Sequence, residues 1–333
     1  MFLIPNSNHA AITETFHSDV IIIYKDSDHK LKFYKNQIRP NTSLPIYSLS
    51  KMYLNLFIGH LEKLSIINTR ESIFPNSHQL WETKLNVESL MRMESGYRCI
   101  DDYEGFEKIK AGIISPIKPS DSHLQRFIQK CLPLYSPDTT YHYSFFDYNL
   151  LILHLIDKLG ESQFKRLFSQ FLNEKLNLKN TYFNINIPKD RFLPNSYSVP
   201  PSILWMNSSS EDLIKTAQFF LKEKNSNLIQ IDWFKRTTSY NLNLFPLKPD
   251  LKDFYKQFTY GMLWFLNKPF MNQKKPYEKL PKDVFFIHGL KGQIIAVFPS
   301  ERAIFLRLAN DPMTNHFSRE EILNYNYQKF IKN

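Results

Sequence analysis

A serine followed three residues later by a lysine puts a hydroxyl and an amine on one face of a helix. A neutral amine so placed can take the hydroxyl proton before attack on a carbonyl. The spacing occurs four times in this chain, at Ser27/Lys30, Ser48/Lys51, Ser115/Lys118 and Ser162/Lys165. Ser27 falls in the turn-forming Asp26-Ser27-Asp28, Ser115 precedes Pro116, and Ser162 opens an amphipathic segment as its expected N-cap, so structure accounts for all three. Ser48 stands before Met52, Leu54, Leu56, Phe57, Ile58, Leu61 and Leu64, a stretch apolar nearly all round that predicts a helix buried in the centre of a domain. At the mouth of such a helix, unpaired N–H groups and the positive dipole end favour a developing oxyanion. The apolar setting lowers the pKa of Lys51 by desolvation. The same residues also fit an N-cap serine with a snorkelling lysine, and the motif alone leaves both readings open.

The elements that must hold these residues are partly legible. Val20–Tyr24 and Lys30–Tyr34 flank the Asp26-Ser27-Asp28 turn and predict a β-hairpin. Helices are expected over Glu88–Met93, over Phe145–Leu159 with Gly160 as its cap, over Ser162–Leu172, and over Ser210–Phe220. The proline-rich stretch Pro188–Pro201 reads as an ordered loop, and residues 68–255 carry almost no period-2 pattern. Strands return at Asp283–His288, Gly292–Phe298 and Ala303–Leu308, followed by a terminal helix over Ser318–Lys332. Strands at both ends with helices between them predict one antiparallel sheet assembled from the two termini, with a helical domain inserted.

Composition closes off several chemistries. The 333 residues are 43% hydrophobic and 22% charged, enough for a sizeable core and far too apolar for a disordered chain. With 8 glycines and none spaced G-x-G, no dinucleotide fingerprint, kinase phosphate loop, P-loop or G-x-S-x-G elbow can be written. The two cysteines, Cys99 and Cys131, are far apart in sequence and read as free thiols. Asp101, Asp102 and Glu104 lack the order of a calcium loop and read as a solvated loop. The net charge of +10 comes from dispersed lysines, such as Lys248, Lys252 and Lys256 or Lys274, Lys275 and Lys279, so a solvated surface is expected rather than a nucleic-acid site. Gly289-Leu290-Lys291-Gly292 has the G-x-x-G of a KH module, but it joins strands where that module joins helices. An N-terminus with no basic residue before Lys25, broken by Pro5, and the lack of a long apolar run predict a cytoplasmic chain without a membrane span.

Several segments together, in order over roughly residues 18–310, resemble the serine β-lactamase superfamily, and most of all its esterase and 6-aminohexanoate-dimer hydrolase branch. Tyr47-Ser48-Leu49-Ser50-Lys51 resembles the nucleophile motif, and Asn86–Tyr97 resembles the segment that ends M-x-S-G. Asp101-Asp102-Tyr103 is similar to the acidic-aromatic pair that follows it in the dimer-hydrolase branch. Tyr141–Leu151 resembles the second motif, Y-S-N and the helix after it, Trp205–Leu221 a later helical segment, and Phe285–Pro299 the third-motif strand with its G-Q continuation.

The resemblance implies an α+β fold of serine β-lactamase/transpeptidase type, an antiparallel sheet flanked by helices with an inserted helical domain. Residues 1–51 and 255–333 would form the sheet domain and 52–254 the helical domain, with the site between them. It implies that Ser48 is acylated, that Lys51 and Tyr143 are its base and proton shuttle, and that His288 takes the place of the third-motif Lys, His or Trp. The N–H groups of Ser48 and Lys291 would form the oxyanion hole. Phe145 stands where β-lactamases of the family have an amide-anchoring asparagine, and Leu290 where K/H-T-G has a small residue. Phe145, His288, Gly289, Leu290 and Lys291 are therefore the expected substrate-binding set. An efficient β-lactamase is not expected; a carboxylesterase or amidase acting on a small ester or amide is, with D-amino-acid peptidase activity ranked lower. No metal or other cofactor, no nucleic acid and no membrane is expected, and the chain would be a monomer or homodimer. The alternative is a non-catalytic binding protein of the same fold.

Overall fold

Asp26 and Ser27 both adopt left-handed backbone, at φ 52° and 67°. A two-residue turn of this kind matches the right-handed twist of the strands it joins. In this computed structural model the turn links β1 (Val20–Lys25) to β2 (Asp28–Tyr34). The structure describes residues 18–35, 37–73, 84–99, 131–133, 135–185, 204–221, 227–240, 259–269, 274–309 and 319–332. The expected loops at Asp101–Glu104 and Pro188–Pro201, the Ser115/Lys118 pair and Lys248, Lys252 and Lys256 lie outside them.

Along the chain, β3 (Ser43–Pro45) runs through a 3-10 turn at Tyr47–Leu49 into α1 (Ser50–Lys63). Then come α2 (Val87–Met91), β4 (Tyr97–Cys99), β5 (Cys131–Pro133), α3 (Phe145–Leu159) and α4 (Glu161–Gln170). These are followed by β6 (Tyr182–Ile185), β7 (Leu204–Ser209), α5 (Ser210–Ala217) and α6 (Trp233–Thr237). The last part holds β8 (Thr259–Tyr260), β9 (Phe265–Leu266), β10 (Phe285–His288), β11 (Ile294–Phe298), β12 (Ala303–Leu308) and α7 (Arg319–Asn326).

The main sheet has seven strands in the order β2-β1-β12-β11-β10-β9-β8, every neighbouring pair antiparallel. The N-terminal hairpin is stitched to the C-terminal strands by the β1–β12 register, Val20 opposite Leu308 through Lys25 opposite Ala303. Strands β10, β11 and β12 are buried along their whole length. Because successive side chains point to opposite faces, both faces must be covered. Helix α5 packs on β12, and the C-terminal π-helical turn Tyr327–Ile331 packs on β1, with Tyr327 stacked 5.6 Å from Phe298.

Helix α1 is buried from Ser50 to Leu61. Its close approach to α6 needs Gly59, where a Cβ would stand 2.6 Å from the Trp233 indole. Asn55 accepts from the Trp233 indole N–H at 3.1 Å and donates to the Met262 carbonyl at 2.9 Å. Arg236 ties Glu62 of α1 to Glu88 of α2, bonding Glu62 at 2.6 Å.

Some local expectations are corrected. Gly160 caps α4, so Ser162 lies inside that helix rather than at its N-cap. The stretch from 68 to 255 contains β4 to β7, with β6 and β7 joining β3 in a small sheet of order β3-β7-β6. Cys99 and Cys131, distant in sequence, stand opposite each other in the β4–β5 pair.

Candidate active site

Tyr47 sits at φ 46° immediately before Ser48. A bulky residue in the left-handed region stores strain on the order of 1–3 kcal/mol, which surrounding packing must hold. Ser48 follows in the 3-10 turn, which the Leu49 N–H closes by donating to the Ile46 carbonyl at 3.0 Å. Neither Ile46 nor Leu49, the cap residues of the turn and of α1, makes a side-chain cap, and the Ser48 hydroxyl caps neither helix. It pairs instead with the Tyr143 hydroxyl, Oγ to Oη 3.3 Å.

Lys51 is 2% exposed. Burial lowers its pKa to about 7. Its ammonium is surrounded by ring faces: Tyr148 at 4.5 Å, Tyr143 at 5.3 Å and Phe145 at 5.8 Å from the centroids. Among the described residues no carboxylate pairs with it. Cation–π contacts return only part of the hydration it has lost, so the neutral amine is favoured. The nearest ring is itself fixed, since the Tyr148 hydroxyl bonds Ser50 Oγ, on the residue before Lys51, at 2.9 Å.

Tyr143 is set by the start of α3. Ser144 is the N-cap, accepting from the Phe146 N–H at 3.0 Å. One turn in, Asp147 is 1% exposed and accepts from the Ser95 hydroxyl at 2.6 Å and the Ser95 N–H at 3.2 Å. The neighbouring Gly96 is at φ 78°, and a Cβ there would lie 2.1 Å from the Tyr135 carbonyl, so only glycine allows this clamp to close. The His142 N–H donates to the Met93 carbonyl at 3.0 Å. The Tyr143 ring stacks on Phe265 of β9 at 5.4 Å, which stacks on Phe286 of β10 at 5.7 Å. Phe145 meets Tyr143 edge-on at 6.3 Å.

The end of β10 forms the facing wall. His288 is 4% exposed, its ring 4.7 Å from Phe286 and 5.8 Å from Phe265. The chain then turns through Leu290–Gly292, with Lys291 at φ 58°. Leu290 is 53% exposed. The Lys291 ammonium lies 6.0 Å from the Tyr47 ring, so two strained residues meet across the site. A Cβ on Gly289 would crowd Gln293 at 2.8 Å and approach the Ile46 carbonyl at 3.4 Å. Gln293 braces the turn, donating to the carbonyls of Pro45 at 3.3 Å and Ala309 at 2.9 Å. The buried Arg307 guanidinium donates to the Gly292 carbonyl.

The fold thus brings Ser48, Lys51, Tyr143 and Phe145 together, with Gly289, Leu290 and Lys291 on the turn that meets Ile46 and Tyr47. His288 lies on the same strand end, packed among rings. Sequence reasoning missed Tyr148, Ser50, Asp147, Ser95 and Gln293 as positioning residues. Only Asp147 left a signal, a carboxylate inside an apolar helix. Among the described residues no three His, Cys, Asp or Glu side chains gather where a metal could be held.

No curated protein sequence matches the chain. Solved structures do. A class C beta lactamase from Rhodobacter sphaeroides superposes with TM-score 0.65 at 15% identity, covering 97% of this chain and 98% of that one. A D-stereospecific amidohydrolase from a Streptomyces species gives TM-score 0.64 at 14% identity, with 98% and 99% covered. A protein assigned as a 6-aminohexanoate-dimer hydrolase from Bacillus anthracis gives 0.62 at 12% identity, with 95% and 79% covered. These likenesses carry the fold. The family model for beta-lactamase matches residues 15–326, nearly the whole chain, and with that match the chain belongs to the beta-lactamase family.

Proposed function

We propose that the chain is a serine hydrolase of small esters or amides that works through an acyl-enzyme on Ser48. The observation that carries this reading is the Ser48–Tyr143 hydroxyl pair at 3.3 Å beside a lysine kept near neutrality by burial. Ser48 Oγ attacks the substrate carbonyl carbon while its proton passes to the Tyr143/Lys51 pair, whose titrations are coupled. The negative charge on the carbonyl oxygen is held by the N–H groups of Ser48 and Lys291. Collapse expels the alcohol or amine, which recovers the proton. Water then attacks the acyl-serine and gives its proton to the same pair, which passes it to Ser48 Oγ as the acyl–oxygen bond breaks and the acid leaves. Every step uses side chains and backbone of this chain. The cleft lies between the sheet unit, residues 1–51 and 255–333, and the helical unit, 52–254.

Phe145 and the exposed Leu290 favour an apolar acyl group over a β-lactam, because an aromatic wall offers no hydrogen bond to a substrate amide. The amidohydrolase and dimer-hydrolase neighbours support an amide or ester substrate. The test is intact-protein mass after exposure to a broad fluorophosphonate, with Ser48→Ala alongside. One adduct on the wild type and none on the variant is the expected result. No adduct on either folded protein would overturn the reading in favour of a non-catalytic binding protein.

A further inference from the structure

Tyr143 precedes Ser144, the N-cap of α3, so the helix fixes where its backbone enters but not the direction of its ring. That direction matters. The Ser48–Tyr143 hydroxyl pair stands at 3.3 Å, beyond the usual range of about 2.5–3.0 Å for O–H···O bonds, and an outward shift of a few tenths of an ångström would part the two oxygens.

Phe265 of β9 lies almost parallel to the Tyr143 ring, at 15° and 5.4 Å. It lies 18° from Phe286 at 5.7 Å, and Phe286 lies 18° from Tyr277 at 5.4 Å. Four near-parallel rings thus run from Tyr143 through Phe265 and Phe286 to Tyr277. Tyr260 meets Phe265 edge-on, at 81° and 5.0 Å. Offset stacks and edge-on contacts are the arrangements that aromatic quadrupoles favour, so the Phe265 ring has few other settings open to it. The turn between β8 and β9 is tied down from three helices. The Asn55 side chain of α1 donates to the Met262 carbonyl at 2.9 Å. The Met262 N–H donates to the Thr237 carbonyl of α6 at 3.0 Å, and the Leu263 N–H to the Met91 carbonyl of α2 at 2.7 Å. At Gly261 a Cβ would stand 2.0 Å from the Thr237 carbonyl oxygen, so the turn reaches α6 only because that residue is glycine. Asn55 lies one helical turn beyond Lys51 on α1. The contacts therefore close a circuit: α1 fixes the hairpin, the hairpin carries Phe265, and Phe265 faces the tyrosine that meets Ser48 at the mouth of α1.

We propose that Phe265 is a positioning residue of this site, presented by the β8–β9 hairpin to hold the Tyr143 ring in the plane that aims its hydroxyl at Ser48. The proposal rests on the acyl-enzyme reading of Ser48 and adds the element on which its proton path depends. Phe265 acts through Tyr143 and not on the substrate. A methionine in its place fills much of the same space with a flexible chain, and leaves the Tyr143 ring free to turn.

The test is the rate at which a fluorophosphonate modifies Ser48, followed by intact mass at several probe concentrations. The limiting rate and the half-saturating concentration are then read separately. Wild type is compared with Phe265→Met, with Phe265→Tyr, which keeps the ring, and with Phe168→Met, which removes an equally buried ring from α4. Phe265→Met should lower the limiting rate about tenfold to a hundredfold at an unchanged half-saturating concentration. Phe265→Tyr and Phe168→Met should keep the wild-type rate. Should Phe265→Met fail to fold, Phe286→Met, one ring further along the stack, takes its place with the same split expected. A wild-type limiting rate in the folded methionine variant, or an equal loss in Phe265→Tyr or Phe168→Met, overturns the proposal and leaves the acyl-enzyme reading intact. An unmodified wild type overturns that reading, and this proposal with it.

Discussion

Lys51 has exchanged water for the faces of three aromatic rings, and its pKa near 7 follows from burial. If its neutral form accepts the Ser48 proton, kcat/KM for a small ester should climb about tenfold per pH unit on the acid side of about 7 and level off above it. A steady-state pH profile checks this, and a flat response from about pH 5 to 9 would remove Lys51 from the proton path. Spacing and resemblance made Ser48, Lys51 and Tyr143 legible because a motif is local and ordered. The Tyr148 hydroxyl on Ser50 and the Gln293 brace were not, because each joins residues far apart in sequence through a contact that no periodicity encodes.

Helix α3 positions Tyr143 only as well as its first turn is held. Asp147 takes two hydrogen bonds from Ser95 in a buried setting, where a polar group left without its partner costs its desolvation. Asp147→Asn should therefore destabilise the fold by about 1–3 kcal/mol. Turnover should fall further than ester affinity, seen as a lower kcat with little change in KM. Long periodic elements were readable from sequence: α3 runs over Phe145–Leu159 and β12 over Ala303–Leu308 as their patterns predict. The short strands β4 to β9 were not, since two to six residues such as Tyr97–Cys99 give no alternation to count and form only when a distant partner arrives. Gly160 took the cap of α4 from Ser162 because it closes α3 and opens α4 at once.

The whole molecule bears the cost of keeping a lysine in its core. Unfolded, Lys51 titrates near 10.4; folded, near 7. Between those values the unfolded chain holds a proton that the folded chain lacks, so this residue makes stability rise with pH across that window and penalises the fold most below about 7. The penalty is on the order of 3–5 kcal/mol. Lys51→Met, similar in volume and uncharged, should melt several degrees higher than wild type at about pH 7, and the gap should narrow as pH approaches about 10; calorimetry across that range decides it. The seven-stranded sheet was foreseeable in outline from strands at both ends of the chain, whereas the two short strands β8 and β9 beyond β10 were not.

The pairing of β1 with β12 also sets a timetable. A ribosome delivers the chain from its N-terminus, so Ser48 and Lys51 emerge long before the turn at Leu290–Gly292 and the strand that closes the sheet. Until then β1 and β2 have no neighbour to complete their sheet, and a lone hairpin is marginal in water. The nascent polypeptide therefore carries its serine without the opposite wall of the cleft, and the chemistry proposed for Ser48 becomes available only after β10 to β12 have been made.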